Sequence, residues 1–223
     1  MTSLPNYPFL DKHEFQLICE NFAASFERRD TGTSGWRNVQ CKIVDDECYL
    51  RISRAGIAAT TKQDIDLPGD TTSEIADADE IVEEFDEEAL PRQAHGHERQ
   101  KEFTIEYDIF LSPSYAVPIL YFLVRDGDGQ WFTDVEKIYL LLVPEVHRHQ
   151  MRDVGIMGGL SMANHPITDI PAFFIHPCRT ADAMREVAGS RAISSKEYMM
   201  LWMGIIGGSV GLNAPSSLAL QQA

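Results

Sequence analysis

A cysteine directly behind a proline is the residue of this sequence whose neighbours best favour covalent chemistry. His176 and Pro177 precede Cys178, which predicts an extended backbone there, and Arg179 follows it. Thr180 is a candidate N-cap of the next helix, whose first N–H groups and positive dipole end would face the sulfur. A cation and a helix N-terminus both lower the pKa of a nearby thiol, which favours the nucleophilic thiolate. Cys178 is therefore the candidate nucleophile, and its thiolate would also be a good leaving group in acyl transfer.

The other cysteines and most histidines offer weaker chemistry. Cys19 falls in a predicted helix, while Cys41 and Cys48 fall in predicted strands. Since no CxxC pair is present, the four cysteines predict free thiols in a reducing compartment. Several pairs of possible ligands two residues apart are better explained as solvated or hydrogen-bonded side chains than as metal ligands, so no metal ion is expected: His95 and His97, His147 and His149, and His176 with Cys178. The glycine-rich segment 204–211 lacks the spacing of a nucleotide-binding loop, so no cofactor is expected.

The elements that must position Cys178 form an α+β pattern. Apolar residues at helical spacing predict an opening helix over 9–29, with Asp11 and Glu14 as a capping pair. Alternation predicts strands elsewhere, and we expect an antiparallel sheet flanked by helices. The remaining predicted segments are two strands within 36–53 with a turn at 45–47, strands at 103–111 and 117–124, a short strand or buried helix at 138–143, a mostly irregular stretch over 148–171, and helices at 180–188 and 195–206.

The charge of the chain is concentrated in one stretch. The formal net charge is −15 over 223 residues, and twelve acidic residues without a lysine or arginine lie between Asp64 and Glu88. We expect a single domain over 1–223 that carries an acidic, mobile insertion over 56–100, because this segment has too few apolar side chains to offset its ordering entropy. The negative charge of the whole chain argues against binding to nucleic acid. This argument is weaker for the rest of the chain, because most of the negative charge lies in the insertion.

No segment of the sequence predicts a membrane span or a signal peptide. The longest apolar run, 199–212, has fourteen residues with four glycines, whereas a spanning helix needs about 20 apolar residues. The first residues lack the basic start and apolar core of a secretory signal. We therefore expect a cytoplasmic protein.

Several segments resemble the autophagy ubiquitin-conjugating-like enzymes. The resemblance is carried by PAFFIHPCRTADAM (171–184), NHPITDIP (164–171), SPSYAVPILYF (112–122), WMGIIGGSVGLNAP (202–215) and NYPFLDKHEF (6–15). The chain is more similar to the branch of autophagy-related protein ten than to its sister branch, autophagy-related protein three. The first two of these segments are contiguous, so the match rests on four stretches whose order along the chain makes it specific. The likeness covers most of the chain outside the acidic segment.

The resemblance implies a variant ubiquitin-conjugating fold and a two-step acyl transfer. Cys178 would receive the ubiquitin-like autophagy-related protein twelve as a thioester from an activating enzyme, autophagy-related protein seven. It would then pass it to a lysine of autophagy-related protein five. No metal or nucleotide would be needed at this step, because the activating enzyme has already consumed ATP.

One departure from ordinary ubiquitin-conjugating enzymes concerns the donor to the oxyanion. Those enzymes carry an Asn some residues before the cysteine, whereas here His-Pro abuts Cys178, so another group must donate. His176 and Tyr115 are the candidate donors. The alternatives are structural: His176 would shape the loop, and Tyr115 would pack in the core. Asn164, in an Asn-His-Pro sequence, is a weaker candidate.

Three other functions stay open at this level. The first is a conjugating enzyme that delivers a ubiquitin-like protein to a lipid, as in the branch of autophagy-related protein three. The second is a cysteine hydrolase in which Cys178 works with His147 or His165. The third is a non-catalytic binding module with a silent cysteine.

Overall fold

The structure is a computed structural model that describes residues 4–28, 35–58, 101–145, 159–215 and 218. Its first helix, α1 (Lys12–Glu27), confirms the sequence prediction. Asp11 accepts the N–H of Glu14 at 2.7 Å, and the Glu14 carboxylate accepts the N–H of Asp11 at 3.0 Å. This capping box satisfies N–H groups that the first turn of a helix leaves without partners. The apolar face of α1 is buried through Phe15, Ile18, Phe22 and Phe26.

Six antiparallel strands form a single sheet within the described residues. They are β1 (Trp36–Val44), β2 (Glu47–Ala58), β3 (Lys101–Leu111), β4 (Pro118–Asp126), β5 (Leu160–Asn164) and β6 (Pro171–Ile175). Their order across the sheet is β1-β2-β3-β4-β6-β5. The β6 strand, which leads to Cys178, therefore lies between β4 and the edge strand β5.

Among the described residues, three further helices complete the α+β architecture that the sequence predicts. They are α2 (Val135–Leu142), α3 (Thr180–Ala188) and α4 (Ser195–Ile205). The α1 helix packs against β1, β2 and α4, so α1 and α4 lie together on one face of the sheet. Ser194 and Glu197 form a capping box at the start of α4. Within the part of the chain that the structure describes, none of the helices combines the length and apolar character needed to cross a membrane.

Two segment boundaries differ from the sequence prediction. The β2 strand continues through residues 56–58, where Ala58 pairs with Lys101, so the predicted insertion cannot begin at 56. Residues 59–100, with the acidic stretch, lie outside the described residues. The stretch predicted as mostly irregular contains the strand β5, whose partner within the described part of the chain is β6. A five-residue edge strand with one neighbour has too little alternation to be distinguished from a loop.

The two faces of the sheet have different surroundings. On the inner face, alternate side chains such as Ile105, Tyr107 and Phe122 are fully buried in the main core with the helices. On the opposite face, which we call the outer face, four residues stand side by side across β2, β3, β4 and β6: Arg51, Asp108, Tyr121 and Phe174. The last of these residues lies four positions before Cys178.

The glycine-rich segment 204–211 packs closely against the chain that follows it. A Cβ atom on Gly207 would lie only 2.5 Å from the carbonyl oxygen of Leu212. The hydroxyl of Tyr107 donates to the carbonyl of Val210 at 2.7 Å, which ties this segment to the sheet. Only glycine permits such a close approach of two backbone segments.

Candidate active site

Cys178 is exposed in a short 3-10 turn, Pro177–Arg179, between β6 and α3. Antiparallel pairing holds β6 to β4 through Phe173–Ile175 and to β5 along its whole length. Pro177 is buried beside the sulfur-bearing residue, so the turn is anchored while the thiol faces solvent. This arrangement lets a large protein partner reach the sulfur.

His176 shapes the backbone of this turn. Its Nδ1 accepts a hydrogen bond from the N–H of Cys178 at 3.2 Å. An accepting Nδ1 carries no proton, so in the neutral ring the proton is on Nε2. The Nε2–H therefore stays as the donor that the ring can offer to a neighbouring group.

Tyr115 lies against the ring of His176. The residue belongs to the tight turn between β3 and β4, where its N–H donates to the hydroxyl of Ser112 at 3.3 Å. Its ring meets the His176 ring edge to face, with centroids 5.4 Å apart and an interplanar angle of 82°. The structure thus brings together the three residues that the sequence singled out, Cys178, His176 and Tyr115.

The predicted helix cap beside the cysteine is wrong. Thr180 is buried as the first residue of α3, and the N-cap position belongs to Arg179, whose side chain makes no capping hydrogen bond. The 3-10 turn runs directly into the helix, so the N–H of Thr180 donates to the carbonyl of Pro177. Together with the N–H of Cys178, this makes two donors that are used inside the turn and are not aimed at the sulfur.

The other three cysteines form a cluster that differs from Cys178 in exposure. Cys19 is buried, and the sulfurs of Cys41 and Cys48 are 3.5 Å apart on β1 and β2. A hydrogen bond with Cys19 raises the pKa of Cys48 to about 12. The hydrogen bond with Cys48, helped by burial, raises the pKa of Cys41 as well. The thiols of Cys41 and Cys48 are therefore protonated at neutral pH and poorly nucleophilic.

His165 cannot serve as the base of a hydrolase in this arrangement. Its side chain is fully buried, and its Nε2 is 2.8 Å from Oδ2 of Asp108. Its Nδ1 accepts the N–H groups of Ile167 and Thr168 at 3.2 and 3.3 Å. Because both nitrogens are engaged, neither is free to take the proton of Cys178. The other candidate base, His147, lies outside the described residues, as do His95, His97 and His149.

Asn164 is also engaged locally. Its side-chain amide donates to the carboxylate of Asp169 at 2.9 Å, across the turn between β5 and β6. That bond would have to break before Asn164 could donate to an oxyanion beside Cys178. No group of three His, Cys, Asp or Glu side chains suited to a metal ion occurs among the residues that the structure describes.

A buried ionic cluster on the outer face was missed by the sequence reasoning. The carboxylate of Asp108 is 1% exposed and accepts bonds from Nε of Arg51 at 2.7 Å, from Nη2 of Arg51 at 2.5 Å and from Nε2 of His165. Burial alone would raise the pKa of Asp108, but the hydrogen bonds from Arg51 and His165 outweigh it and hold the pKa below its usual value. Strand alternation places Asp108 on the polar side of β3, and nothing in the local sequence shows that this side is covered.

Comparison with known proteins identifies the family of the chain. The family model described as "Autophagocytosis associated protein, active-site domain" matches residues 14–217. The chain belongs to this family. Of the described residues, the match includes the six strands, helices α2, α3 and α4, all but the first two residues of α1, and the turn that carries Cys178.

Individual members of the autophagocytosis-associated family match over different lengths. The protein named ubiquitin-like-conjugating enzyme ATG10 from Gibberella zeae is 32% identical over 98% of this chain and 100% of its own. The human protein of the same name is 36% identical over 51% of each chain. The crystal structure of the autophagic E2 Atg10 covers 92% of this chain and 99% of its own, with a TM-score of 0.48 and 14% identity.

Proposed function

We propose that this chain is a conjugating enzyme that carries a ubiquitin-like protein as a thioester on Cys178. The observation that carries the proposal is the exposure of this one cysteine on an anchored turn, in a chain that matches a conjugating enzyme over its full length. Of the other three cysteines, Cys19 is buried, and Cys41 and Cys48 are half-buried free thiols that are hydrogen-bonded to each other. A thioester carrier needs a sulfur that two large partners reach in succession, and Cys178 meets this need.

The chemistry is two acyl transfers on one sulfur. The Cys178 thiolate attacks the thioester carbonyl that links the ubiquitin-like protein to its activating enzyme, and the thiolate of the activating enzyme leaves. A neutral lysine amine then attacks the new thioester, and the tetrahedral oxyanion collapses with release of the Cys178 thiolate. The proton that the amine nitrogen loses as the isopeptide bond forms passes to the released Cys178 thiolate, directly or through water.

His176 and Tyr115 are the residues that we assign to the oxyanion and to the shape of the turn. His176 holds the backbone of Cys178 through Nδ1 and keeps Nε2–H available as a donor. The edge-to-face contact with Tyr115 restricts the orientation of the His176 ring. A donor fixed in advance of the reaction needs no reorganisation when the oxyanion forms.

The finer assignments follow the family to which the chain belongs. By the resemblance, the ubiquitin-like protein is autophagy-related protein twelve, its activating enzyme is autophagy-related protein seven and the acceptor is autophagy-related protein five. The full-length match to a relative named ATG10 supports this branch over the lipid-conjugating one. We place the reaction in the cytoplasm. We also propose a single domain, and the continuous family match over 14–217 is in keeping with it.

The test is formation of an adduct on Cys178. The protein is incubated with activating enzyme, ATP and the ubiquitin-like protein, and is then analysed on a non-reducing gel. We expect a thiol-sensitive adduct in the parent and in the control Cys41→Ala, a thiol-resistant oxyester in Cys178→Ser, and neither in Cys178→Ala. An adduct that persists in Cys178→Ala would refute the assignment. Cleavage of a pre-formed conjugate without adduct formation would favour a hydrolase instead.

A further inference from the structure

The acyl transfers proposed for Cys178 make no direct use of the buried ionic cluster of Arg51, Asp108 and His165. Its Asp108 carboxylate accepts three hydrogen bonds and is almost fully removed from solvent. Burying such charges contributes little net stability, because the desolvation cost offsets most of the attraction. What the cluster does fix is geometry, since the guanidinium of Arg51 donates to both carboxylate oxygens of Asp108 and the imidazole of His165 donates to Oδ2.

His165 reaches Asp108 from the turn that follows β5, which extends over the outer face of the sheet. It follows the last residue of the edge strand β5, whereas Asp108 belongs to β3, and the strands β6 and β4 lie between them. On the way, the imidazole packs edge to face against Tyr121 and Phe110, with centroid distances of 6.0 and 5.4 Å. His165 therefore holds the end of β5 over the outer face.

The same imidazole closes the turn that starts β6. Its Nδ1 accepts hydrogen bonds from the N–H groups of Ile167 and Thr168. The backbone of His165 adds two more bonds: its N–H donates to the carbonyl of Ile170 at 2.8 Å, and its carbonyl accepts the N–H of Asp169 at 2.9 Å. Since Nδ1 is an acceptor, the ring proton is on Nε2 and points to Asp108. The turn over 166–170 is thus fastened to β3 through one side chain.

A continuous set of ring contacts leads from this turn to the cysteine. Phe174 on β6 stacks on Tyr121 at 5.7 Å and contacts His176 at 6.4 Å between ring centroids. His176 in turn accepts the N–H of Cys178. The β6 strand pairs with β4 over only three residues, so the turn that precedes it contributes much of its placement. A shift at His165 would reach Cys178 through this short strand.

We propose that Asp108 and His165 are positioning residues for the active-site turn. Asp108 fixes His165, His165 fixes the start of β6, and β6 carries the ring of Phe174 that supports His176 beside Cys178. The inference deepens the proposed thioester chemistry and rests on it for its kinetic consequence. Its structural consequence, the orientation of the His176 ring, is independent of any reaction.

The test separates the link to Asp108 from the turn itself. In His165→Asn, the shorter side chain is still able to accept the turn N–H groups but cannot reach Asp108. Asp108→Asn is the second variant, because it keeps the shape of the side chain and one acceptor oxygen. Glu106→Gln is the matched control, since Glu106 lies on the same strand and is 3.6 Å from Arg51, and the structure gives it no contact with His165.

Two measurements are made on each variant. The first is the nitrogen spectrum of the His176 imidazole in the unloaded protein, which reports whether the ring holds a single Nε2–H tautomer. The second is single-turnover discharge from the loaded enzyme to a lysine acceptor. We expect both His165→Asn and Asp108→Asn to lose the single tautomer and to slow discharge about tenfold or more, because small displacements of reacting groups have effects of this size. Glu106→Gln should retain both properties.

The double variant His165→Asn with Asp108→Asn decides whether the two residues act as one unit. Discharge no slower than in the slower single variant supports the proposal, whereas rate losses that multiply contradict it. An unchanged tautomer or an unchanged discharge rate in a folded His165→Asn also overturns it. Should the parent protein form no adduct at all, the proposed function fails, and the His176 spectrum still tests the positioning role.

Discussion

Replacing Asp108 by Asn should destabilise the fold at neutral pH and much less in acid. The Asn side chain keeps one oxygen for Arg51 but presents an amide group to another donor. The Arg51 charge then loses its buried partner, although its side chain is 19% exposed and Glu106 lies 3.6 Å away. Removing one partner of a buried ion pair costs about 3–5 kcal/mol. Because Glu106 and solvent partly compensate, we expect a loss near the lower end, about 3 kcal/mol.

The pH dependence follows from the direction of the pKa shift. The pKa of Asp108 is lower in the folded protein than in the unfolded chain, so the folded state binds protons less readily. The stabilisation is therefore complete above the ordinary Asp pKa of about 4 and disappears as the pH falls through the folded pKa. The difference in free energy of unfolding between parent and Asp108→Asn should shrink accordingly below about pH 4.

Urea unfolding at a series of pH values measures this difference, with thermal melts as a second readout. A loss of about 3 kcal/mol corresponds to a fall in melting temperature of roughly 6–12 °C for a chain of this size. Glu106→Gln is the control and should change the free energy of unfolding by no more than about 1 kcal/mol, since that side chain is 24% exposed. A loss below about 1 kcal/mol for Asp108→Asn at neutral pH would refute the reasoning, as would an equal loss at about pH 3.

Three shorter predictions concern the active site and the chain end. If His176 or Tyr115 donates to the oxyanion, then His176→Ala or Tyr115→Phe should slow single-turnover discharge by the equivalent of about 2.7–4 kcal/mol, and unchanged rates in both variants would exclude them as donors. Limiting iodoacetamide should alkylate Cys178 first, because the other thiols are buried or half-buried; peptide mapping that shows faster labelling elsewhere would contradict this. Gly207→Ala should cost about 1–3 kcal/mol in urea unfolding, because the added Cβ would lie 2.5 Å from the Leu212 carbonyl oxygen.

Local signals predicted most of the elements of this fold. The capping box of Asp11 and Glu14 is a short-range pattern, and it marks the start of α1 correctly. The alternation over 103–111 likewise gives β3 and the direction of its buried side chains. These features depend on residues a few positions apart, so a single sequence contains the information. The short strand β5 depends instead on pairing with β6 and was not predicted.

The buried cluster on the outer face shows where such reasoning fails. Asp108 and its partner Arg51 are 57 positions apart, and His165 is another 57 positions along the chain. Alternation assigns Asp108 to the polar side of β3 but does not tell whether that side meets water. Only the sheet order, which brings β2 beside β3 and lets the β5–β6 turn extend over both β6 and β4, makes the three side chains partners.

The proposal that Cys178 is the nucleophile rests on a different feature from the one that the sequence suggested. A helix N-terminus aimed at the sulfur was expected, but the N–H groups of Cys178 and Thr180 are bound to His176 and Pro177 inside the turn. These hydrogen bonds fix the backbone around the cysteine, so the two N–H groups do not donate to the sulfur. The exposed thiol on a rigid turn suits a carrier whose partners supply part of the reaction environment. Donors from this chain then come from side chains, and the Nε2–H of His176 is the one that the hydrogen bonding of the turn leaves available.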